Sequence, residues 1–413
     1  MNFPRQPQFM EKIVVMINFE SGCHLARRTA ARRRMVLLTG NERIPLMKSQ
    51  VYFTDFRTEF HGASMLYKLR RLMKKAGFEN IDFKDKFVAI KMHFGELGNL
   101  TFLRPNYAKA VADYVKELGG KPFLTDCNTL YTGSRKNALE HLDTAAVNGF
   151  SPLSTGCWIL IGDGLKGNDE VEVPVPNGVH CKTALIGRAV MDADIIISLT
   201  HFKGHEKMGV GGAVKNVGMG CGSRAGKMVM HSDGKPDLDP ALCVGCGICA
   251  RHCAHGALTL ANRKMTIDHA KCAGCGSCVS VCPRDALQPT WDQSDRILDE
   301  KTAEYAAAVL NNRPHFHISL LCDISPNCDC HGESDTAIVP DIGILAGFDP
   351  VALDVAACDL CNKAPRLKGT WMDNCPRGGD LFDDAHGNTH WRDAIDHAVR
   401  IGLGSDEYEL VGL

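Results

Sequence analysis

The chain has 413 residues, a length that suits two or three folded units rather than one small domain. Its 47 Lys and Arg residues nearly balance 48 Asp and Glu residues, and the formal net charge of -1 gives no electrostatic reason to expect a nucleic-acid partner. No apolar run reaches the roughly 18 residues that a membrane span requires.

The first 46 residues contain a basic patch between Arg27 and Arg34, followed by an apolar stretch of only four residues, Met35–Leu38. A secretory or twin-arginine signal needs a longer apolar stretch and a small-residue cleavage pattern. We therefore expect a soluble, cytoplasmic protein in which residues 1–46 form a poorly ordered N-terminal extension and Met47 is a candidate start.

From Met47 onward, apolar runs that predict strands alternate with periodic patterns that predict helices. Such alternation is typical of crossover connections and a mostly parallel sheet. The sequence predicts an α/β host domain in two parts, 47–234 and 291–413, interrupted by a small α+β insert at 235–290 with turn-rich flanks. The predicted strands are Phe87–Met92, Pro122–Asp126, Cys157–Ile161, Ile195–Leu199, Phe316–Leu321 and Ile342–Ala346, and the predicted helices are Pro105–Leu118, Ser134–Val147, Ala184–Asp192, Thr302–Leu310, Ala352–Cys361 and Arg392–Arg400.

Nineteen cysteines are the exceptional feature of the composition, and eight of them lie between Cys243 and Cys282. They form two runs of the pattern Cys-x2-Cys-x2-Cys-x3-Cys, and each cysteine of the first run precedes its counterpart by 29 residues. Three thiolates on a tight glycine-containing loop can bind three irons of a cubane, and the fourth thiolate comes from the other run. The predicted ligand sets are Cys243, Cys246, Cys249 and Cys282 for one [4Fe–4S] cluster, and Cys272, Cys275, Cys278 and Cys253 for the other.

These runs resemble a bacterial ferredoxin module with two [4Fe–4S] clusters. Cys282 is followed by proline, as in that module, whereas Cys253 is followed by Ala254, a difference that affects the turn more than ligation. Zinc ribbons are the alternative, but zinc sites separate two Cys-x2-Cys pairs instead of repeating four-cysteine runs. The resemblance implies two one-electron carriers that relay low-potential electrons between a redox partner protein and something bound on the host domain.

Residues 195–231 place a buried strand before a basic, glycine-rich loop. The carboxyl end of a parallel strand is where α/β proteins bind ligands, and exposed amides with Lys and Arg favour an anion. A purely structural loop is the alternative, because glycine also serves left-handed conformations. We predict a site for a small anionic ligand, with His201, His205 and Lys215 as catalytic candidates and Lys203, Gly211, Gly212 and Arg224 as cofactor-binding candidates.

Polar residues follow three other predicted strands, at Lys91–Glu96, Asp126–Gly133 and Asp163–Gly164. Each segment alone is typical of a helix cap or a turn. Their recurrence at several strand ends favours one shared cleft.

These stretches, together with Asp341–Leu345 and Asp349–Asp354, resemble the domain of unknown function 362 family, which is often joined to ferredoxin modules. The resemblance covers nearly everything after Met47 and implies an iron–sulfur protein with a redox role and no defined substrate. His201–Lys215 is also similar to a loop of the lactate racemase family, in which a nickel-pincer nucleotide is attached to a lysine, and Lys215 would be the matching position. The alternative function is therefore a nonredox enzyme or ligand-binding module with structural clusters.

The cysteines outside the insert suggest a further metal or cluster site, because Cys328-Asp329-Cys330 follows a predicted strand and a Ser-Pro turn. Cys358 and Cys361 share one face of a predicted helix, where buried thiols are the simpler interpretation. The sequence thus predicts an oxygen-sensitive iron–sulfur electron-transfer protein or reductase component of anaerobic metabolism. The candidate ligands of the further site are Cys221, Cys322, Cys328 and Cys330.

Overall fold

The computed structural model describes residues 48–59, 61–131, 133–232, 234–291, 293–376 and 378–413. The predicted extension at residues 1–46 lies outside these residues. The strands are β1 (Ser49–Asp55), β2 (Phe87–Lys91), β3 (Lys121–Asp126), β4 (Trp158–Ile161), β5 (Glu170–Pro174), β6 (Thr183–Gly187), β7 (Ile195–His201), β8 (Lys203–His205), β9 (Gly209–Gly211), β10 (Pro236–Leu238), β11 (Leu258–Ala261), β12 (Lys264–Ile267), β13 (Leu287–Pro289), β14 (His315–Leu321), β15 (Gly343–Gly347) and β16 (Tyr408–Gly412). The helices are α1 (Met65–Lys75), α2 (Pro105–Glu117), α3 (Ala138–Val147), α4 (Pro152–Thr155), α5 (Arg188–Met191), α6 (Ala213–Cys221), α7 (Arg224–His231), α8 (Ile248–His252), α9 (Ser277–Val281), α10 (Asp295–Leu310), α11 (Pro350–Lys363), α12 (Leu381–Ala385) and α13 (Arg392–Ile401), with 3-10 turns at Phe78–Asn80 and Trp371–Asn374.

An eight-stranded sheet in the order β16-β1-β15-β14-β7-β2-β3-β4 forms the centre of the fold. Its neighbouring strands are parallel except where β15 pairs with β1 and β14. The register pairs Lys91 with Thr125 on one side and Ser198 on the other, so the carboxyl ends of β2, β3 and β7 lie side by side. The predicted α/β class with a mostly parallel sheet is confirmed.

Alternate residues of the central strands pack into apolar layers on opposite faces of the sheet. Val88 and Ile90 of β2 belong to the layer that contains α1 and α2, whereas Ala89 belongs to the layer that contains α6, α10 and α11. All seven residues of β7 are buried. Because helices cover both faces, the central strands read in the sequence as continuous apolar runs rather than as alternating ones.

Local capping chemistry sets the helix boundaries. Asp349 accepts hydrogen bonds from the N–H groups of the residues two and three positions later, and Pro350 occupies the first position of α11. Asn137 caps α3 in the same way, which is why this helix begins four residues after the predicted start at Ser134. The other predicted strands and helices are confirmed, with shifted ends, except for one segment.

The prediction of a helix at Ala184–Asp192 is wrong over its first half. Thr183–Gly187 forms β6 and pairs with β5 in a two-stranded hairpin, and only Arg188–Met191 is helical. The hairpin supplies backbone partners that the local apolar pattern does not reveal, so tertiary pairing overrides the helical periodicity.

The insert folds as two similar halves. β10 pairs with β13, β11 pairs with β12, and the short helices α8 and α9 occupy equivalent places in the two cysteine runs. The first and last strands meet, with Pro236 opposite Pro289, so the chain leaves and re-enters the host domain at adjacent points. The division into parts at 47–234, 235–290 and 291–413 stays a prediction.

Helix α6 begins against a buried carboxylate from α11. Asp354 accepts hydrogen bonds from the backbone N–H groups of Ala213 at 2.6 Å and Val214 at 2.9 Å. A side chain at Gly212 would overlap the Asp354 carboxylate, so the absence of a Cβ permits the contact. Burial raises the pKa of Asp354 to about 7, although the two N–H donors oppose this shift. The capped end of α6 is thereby held at the carboxyl edge of the sheet.

Replacing Asp354 with alanine should lower the free energy of unfolding by about 2 kcal/mol, because two buried N–H groups would lose their acceptor. Urea denaturation followed by circular dichroism measures the loss. The control is Asp396→Ala on the exposed side of α13, whose stability should stay within about 0.5 kcal/mol of the wild type. Equal stability of the two variants would contradict this account of α6.

Candidate functional site

A cavity of about 360 Å³ opens at the carboxyl end of the parallel strands. The segments that follow β2, β3, β7 and β14 form its wall, together with α6, α7 and the residues just after the insert. Several loops meet at this edge of a parallel sheet, which makes it the usual place for a ligand. The structure thus brings polar residues from several strand ends to one cleft.

Cationic side chains outnumber carboxylates in the cavity wall. Six Lys or Arg side chains and three Asp or Glu side chains line it. Lys203 and Arg135 pair with Asp329 and Glu96 behind the wall, but Lys215 and Lys227 form no ion pair with a carboxylate among the described residues. These two cations favour an anionic ligand, because a cleft with low-dielectric walls strengthens the attraction of the opposite charge. The cations are Lys91, Lys203, Lys207, Lys215, Lys227 and Arg135, and the carboxylates are Asp126, Glu206 and Asp295.

Asp126, at the end of β3, holds two buried cations in the wall. Its carboxylate lies 3.0 Å from Lys91 Nζ and 3.6 Å from an Arg135 guanidinium nitrogen. Arg135 also donates from Nε to Glu96 at 3.0 Å. Burial alone would raise the pKa of Asp126, but the surrounding positive charges, led by Lys91, hold it well below its usual value. This network fixes the ends of two neighbouring strands.

The same network ties α6 to the sheet edge. Lys91 Nζ donates to Asn216 Oδ1 at 2.8 Å, and Asn216 Nδ2 donates to Thr200 Oγ1 at 3.0 Å. A side chain at Gly220 would overlap Lys91 Nζ. The glycines of α6 therefore serve the close approach of this helix to the strand ends.

Two of the three catalytic candidates, His205 and Lys215, line the cavity, whereas His201 lies behind its wall. The Nδ1 atom of His201 lies 2.8 Å from Asp329 Oδ2, and its Nε2 atom donates to the Cys322 carbonyl at 2.8 Å. Both ring nitrogens are engaged, so His201 has none to offer a ligand and instead positions Asp329.

Three of the four cofactor-binding candidates, Lys203, Gly211 and Gly212, also line the cavity. Lys203 Nζ lies 3.3 Å from Asp329 Oδ2, so its charge is already neutralised by a buried carboxylate. Gly212 has the packing role against α11 described above.

The fourth cofactor-binding candidate, Arg224, lies outside the cavity wall, between the host domain and the insert. Its guanidinium donates to two backbone carbonyls of the host, while a Cβ at Gly276 of the insert would come within 2.6 Å of Arg224 Cδ. Nη1 is buried without a hydrogen-bond partner among the described residues. Burial lowers the pKa of Arg224, and acidic groups that include Cys278 and Cys275 oppose this shift. Arg224 therefore lies beside Gly276, which stands between Cys275 and Cys278 in the second cysteine run.

Cys328 and Cys330 bring two sulfur atoms to the wall. Their sulfur atoms and a ring nitrogen of His205 lie within 4.8 Å of one another, and Lys215 Nζ donates to Cys328 Sγ at 3.6 Å. Cys330 borders the cavity, whereas Cys328 is only 2% exposed. The proximity of the two thiols, together with Lys215 and His205, lowers the pKa of Cys328, and the proximity of Cys328 together with burial raises the pKa of Cys330.

Backbone N–H groups fix the orientation of the His205 ring. The N–H groups of Lys207 and Met208 both donate to His205 Nδ1 at 3.1 Å. Because Nδ1 accepts, the proton of the neutral ring is on Nε2. The ring in this state donates through Nε2 and has no lone pair there for a metal.

The described residues contain three groups in which three metal-capable atoms lie within 4.8 Å of one another. Two of these groups include Cys330, but neither Cys221 nor Cys322 belongs to any of them. Cys322 lies on the far side of His201, and Cys221 ends α6, where its carbonyl accepts from the Cys127 thiol at 3.4 Å. The structure therefore brings together two of the four predicted extra ligands. The groups are His205, Cys328 and Cys330; Glu206, Cys330 and His331; and His180, Glu300 and His397.

The eight cysteines of the insert line two small cavities. Each cavity is bordered by four cysteines, three from one run and the fourth from the other. The two sulfurs that cross between the runs each accept an N–H from the alanine four positions later, at 3.3 Å from Ala257 to Cys253 and 3.2 Å from Ala286 to Cys282. The sets are Cys243, Cys246, Cys249 and Cys282, and Cys253, Cys272, Cys275 and Cys278.

Arg135 and Trp291 line the cavity but were not predicted to, and Tyr131 and His231 were not singled out within the two segments, Asp126–Gly133 and 195–231, that were. Arg135 donates to the Tyr131 hydroxyl, and the rings of His231 and Trp291 meet edge to face at a centroid distance of 4.8 Å. Burial lowers the pKa of His231 to about 3. Arg135 and Tyr131 follow a predicted strand closely, which was a usable signal, but His231 and Trp291 flank the insert and meet only in the folded chain.

A family model described as "Domain of unknown function (DUF362)" matches residues 88–359, more than half of the chain. The "Thylakoid-associated protein sll1697" of Synechocystis sp. is 27% identical over 200 residues, which cover 48% of this chain and 56% of that protein. The chain thus matches little more than half the length of this curated relative. Among the described residues, no helix has the length and apolar character to cross a membrane.

Solved structures show weak similarity. The lactate racemase apoprotein from Thermoanaerobacterium thermosaccharolyticum is 10% identical, with a TM-score of 0.31, over 58% of this chain and 43% of that one. A protein from Thermotoga maritima is 11% identical, with a TM-score of 0.36, over 72% of this chain and 58% of that one.

Replacing Asp126 with asparagine should lower the free energy of unfolding by about 3 kcal/mol at neutral pH, because two buried cations would lose their shared countercharge. The native pKa of Asp126 lies below its unfolded value, so its stabilisation is full above pH of about 4 and is lost as the pH falls further. Urea denaturation at several pH values should show the difference between variant and wild type shrinking in acid.

The control is Asp113→Asn, which removes an exposed ion pair of 2.7 Å with Lys109 and should change stability by less than about 1 kcal/mol. If the loss of unfolding free energy in Asp126→Asn stayed constant with pH, the proposed ionic role of Asp126 would be contradicted.

Proposed function

The chain belongs to the DUF362 family, and we propose that it acts there as an iron–sulfur electron-transfer protein or reductase component. In this proposal two [4Fe–4S] clusters in the insert relay low-potential electrons from a partner protein to an anionic ligand in the host cavity. One observation carries it: each small cavity of the insert is bordered by one of the two crossed cysteine sets that the repeat predicts.

The surroundings of the cysteines suit iron–sulfur clusters better than zinc. Tetrahedral zinc with Zn–S bonds of about 2.3 Å would need sulfurs about 3.8 Å apart, but no close group of three metal-capable atoms in the described residues includes an insert cysteine. Apolar side chains, among them Leu258, Met265 and Leu287, pack with the cysteines, and N–H groups point at sulfur. When bound, each cluster would supply one-electron transfer.

The host domain meets the insert near the second cysteine set. Leu130 of the host belongs to the apolar cluster that contains Cys249 and Cys278, and it also borders the host cavity. Cys246 of the first set is exposed, which gives a partner protein access at the opposite end. These positions support electron entry near Cys246 and exit past Leu130.

The alternative is a nonredox enzyme or ligand-binding module with structural clusters, such as a nickel-pincer protein. One observation favours it: Lys215 and His205, the residues it requires, border the same cavity. Stoichiometric nickel in the purified protein, together with clusters that cannot be reduced, would support this alternative over the relay.

Anaerobically purified protein should contain about eight iron and about eight sulfide ions per chain and should show visible absorption that dithionite bleaches. Replacing Cys243 or Cys282 with serine should each remove about half of the iron. Because the two belong to one set, the Cys243→Ser/Cys282→Ser double variant should lose no more than either single variant. The Cys243→Ser/Cys253→Ser double variant should lose both clusters.

Iron and sulfide analysis of these variants checks the crossed pairing, with Cys375→Ser, outside the insert, as the control that keeps full iron. Zinc in place of iron would overturn the relay. If Cys243→Ser/Cys282→Ser lost all of its iron while Cys243→Ser/Cys253→Ser kept half, each run would instead hold its own cluster.

Arg224 should raise the reduction potential of the second cluster, because a buried positive charge stabilises an added electron. Arg224→Gln should make that potential more negative, whereas Arg224→Lys, which keeps the charge, should shift it less. Redox titration monitored by electron paramagnetic resonance measures both clusters separately. If the reduction potentials of the two clusters shifted equally, or if neither shifted, the placement of Arg224 beside the second set would be contradicted.

A further inference from the structure

We propose that Cys328 and Cys330 form a redox-active dithiol that reduces a small anionic disulfide bound in the cavity. The inference rests on the proposed electron relay for the supply of electrons. The two thiols belong to none of the cluster sets, and their geometry, surroundings and access to the cavity each support this role.

The two sulfur atoms are placed for a disulfide. They lie within 4.8 Å of each other, and a single residue separates them in the chain. That residue, Asp329, is held by His201 Nδ1 at 2.8 Å and by Lys203 Nζ at 3.3 Å. The segment between the two cysteines is therefore anchored next to two neighbouring sulfurs.

The two thiols differ in access, as a dithiol mechanism needs. Cys330 borders the cavity, where it can attack a bound molecule. Cys328 lies behind it at 2% exposure, where a substrate cannot reach but Cys330 can. Cys330 is thus the attacking thiol and Cys328 the resolving thiol.

The groups around Cys328 favour a sulfur anion over a metal ion. Lys215 Nζ at 3.6 Å is a hydrogen-bond donor and would repel a cation. His205 donates from Nε2, because its Nδ1 accepts two backbone N–H groups. Both neighbours stabilise negative charge on the resolving sulfur, which is the state that attacks a mixed disulfide.

The cavity selects the substrate class by size and charge. Its volume of about 360 Å³ suits a small molecule, and Lys215 and Lys227, which form no ion pair with a carboxylate among the described residues, line it. A disulfide that carries carboxylate groups meets both conditions.

The reaction balances in two stages. Cys330 passes its proton to the Cys328 sulfur and attacks one sulfur of the substrate disulfide; the substrate S–S bond breaks, and the leaving sulfur takes the proton from Cys328. The Cys328 sulfur then attacks Cys330, the mixed disulfide breaks, and the second substrate sulfur leaves with a proton from solvent. Two electrons from the proposed relay, re-supplied by a low-potential donor protein, and one further proton from solvent restore the Cys330 thiol and the Cys328 sulfur anion.

The test uses the full-length protein, reduced and then freed of reductant, with dithiodipropionate, a small disulfide with two carboxylates, as the probe. Alkylation and peptide mass spectrometry should find a Cys328–Cys330 disulfide in the wild type after one turnover. Cys328→Ser should trap the probe on Cys330, and Cys330→Ser should form no adduct at either position. Cys322→Ser, which alters a nearby buried thiol outside the pair, should behave as the wild type.

The inference is overturned if the probe modifies neither thiol of the pair, if Cys330→Ser reacts as fast as the wild type, or if a stoichiometric metal on the pair blocks alkylation.

A second measurement separates this inference from the relay. The clusters of wild-type protein with an oxidised Cys328–Cys330 pair are bleached by dithionite, and the excess dithionite is removed. The clusters should then regain their visible absorption as they reduce the disulfide. In Cys330→Ser, which has no such disulfide, the clusters should stay bleached. Disulfide formation with clusters that never recover would support the dithiol and overturn the relay. Clusters that are reduced and reoxidised normally beside a pair that never forms a disulfide would overturn the dithiol alone.

Discussion

The buried ion pair between Asp126 and Lys91 is the interaction on which the cavity depends. It joins the ends of β3 and β2 at 3.0 Å, and through Lys91 it reaches Asn216 of α6. Removing one partner of such a pair leaves an uncompensated charge in the protein interior, which costs more than the pair itself contributes. Electrostatics thus fixes this edge of the sheet in one arrangement, whereas the apolar layers fix the rest of the fold.

The contact between insert and host is close because glycines form much of it. A side chain at Gly274 would overlap the Gly234 carbonyl, and Gly276 lies against Arg224. Lys136 of the host adds an ion pair of 3.2 Å with Asp285. These contacts place the second cysteine set against the host, while the exposed Cys246 belongs to the first.

The sequence predicted features whose causes are local. Strand β7 was predictable because helices on both faces make Ile195–Leu199 a continuous apolar run, and the cysteine sets were predictable because their spacing is fixed by ligation. The different roles of the residues in the basic loop were not predictable from the sequence. His201 and His205 look equivalent in the chain, yet His201 is engaged by Asp329, 128 residues away. Strand β6 could not be predicted from its own residues either, because its hairpin partner β5 lies outside the segment whose apolar pattern resembles a helix.

The pairing of Pro236 with Pro289 brings both ends of the insert to one point on the host. A segment anchored in this way can be gained, lost or exchanged as a cassette, because its length does not alter the order of the central strands. Its two matching halves are the form that tandem duplication of a shorter peptide leaves behind. The architecture therefore suits the exchange of this segment as one module.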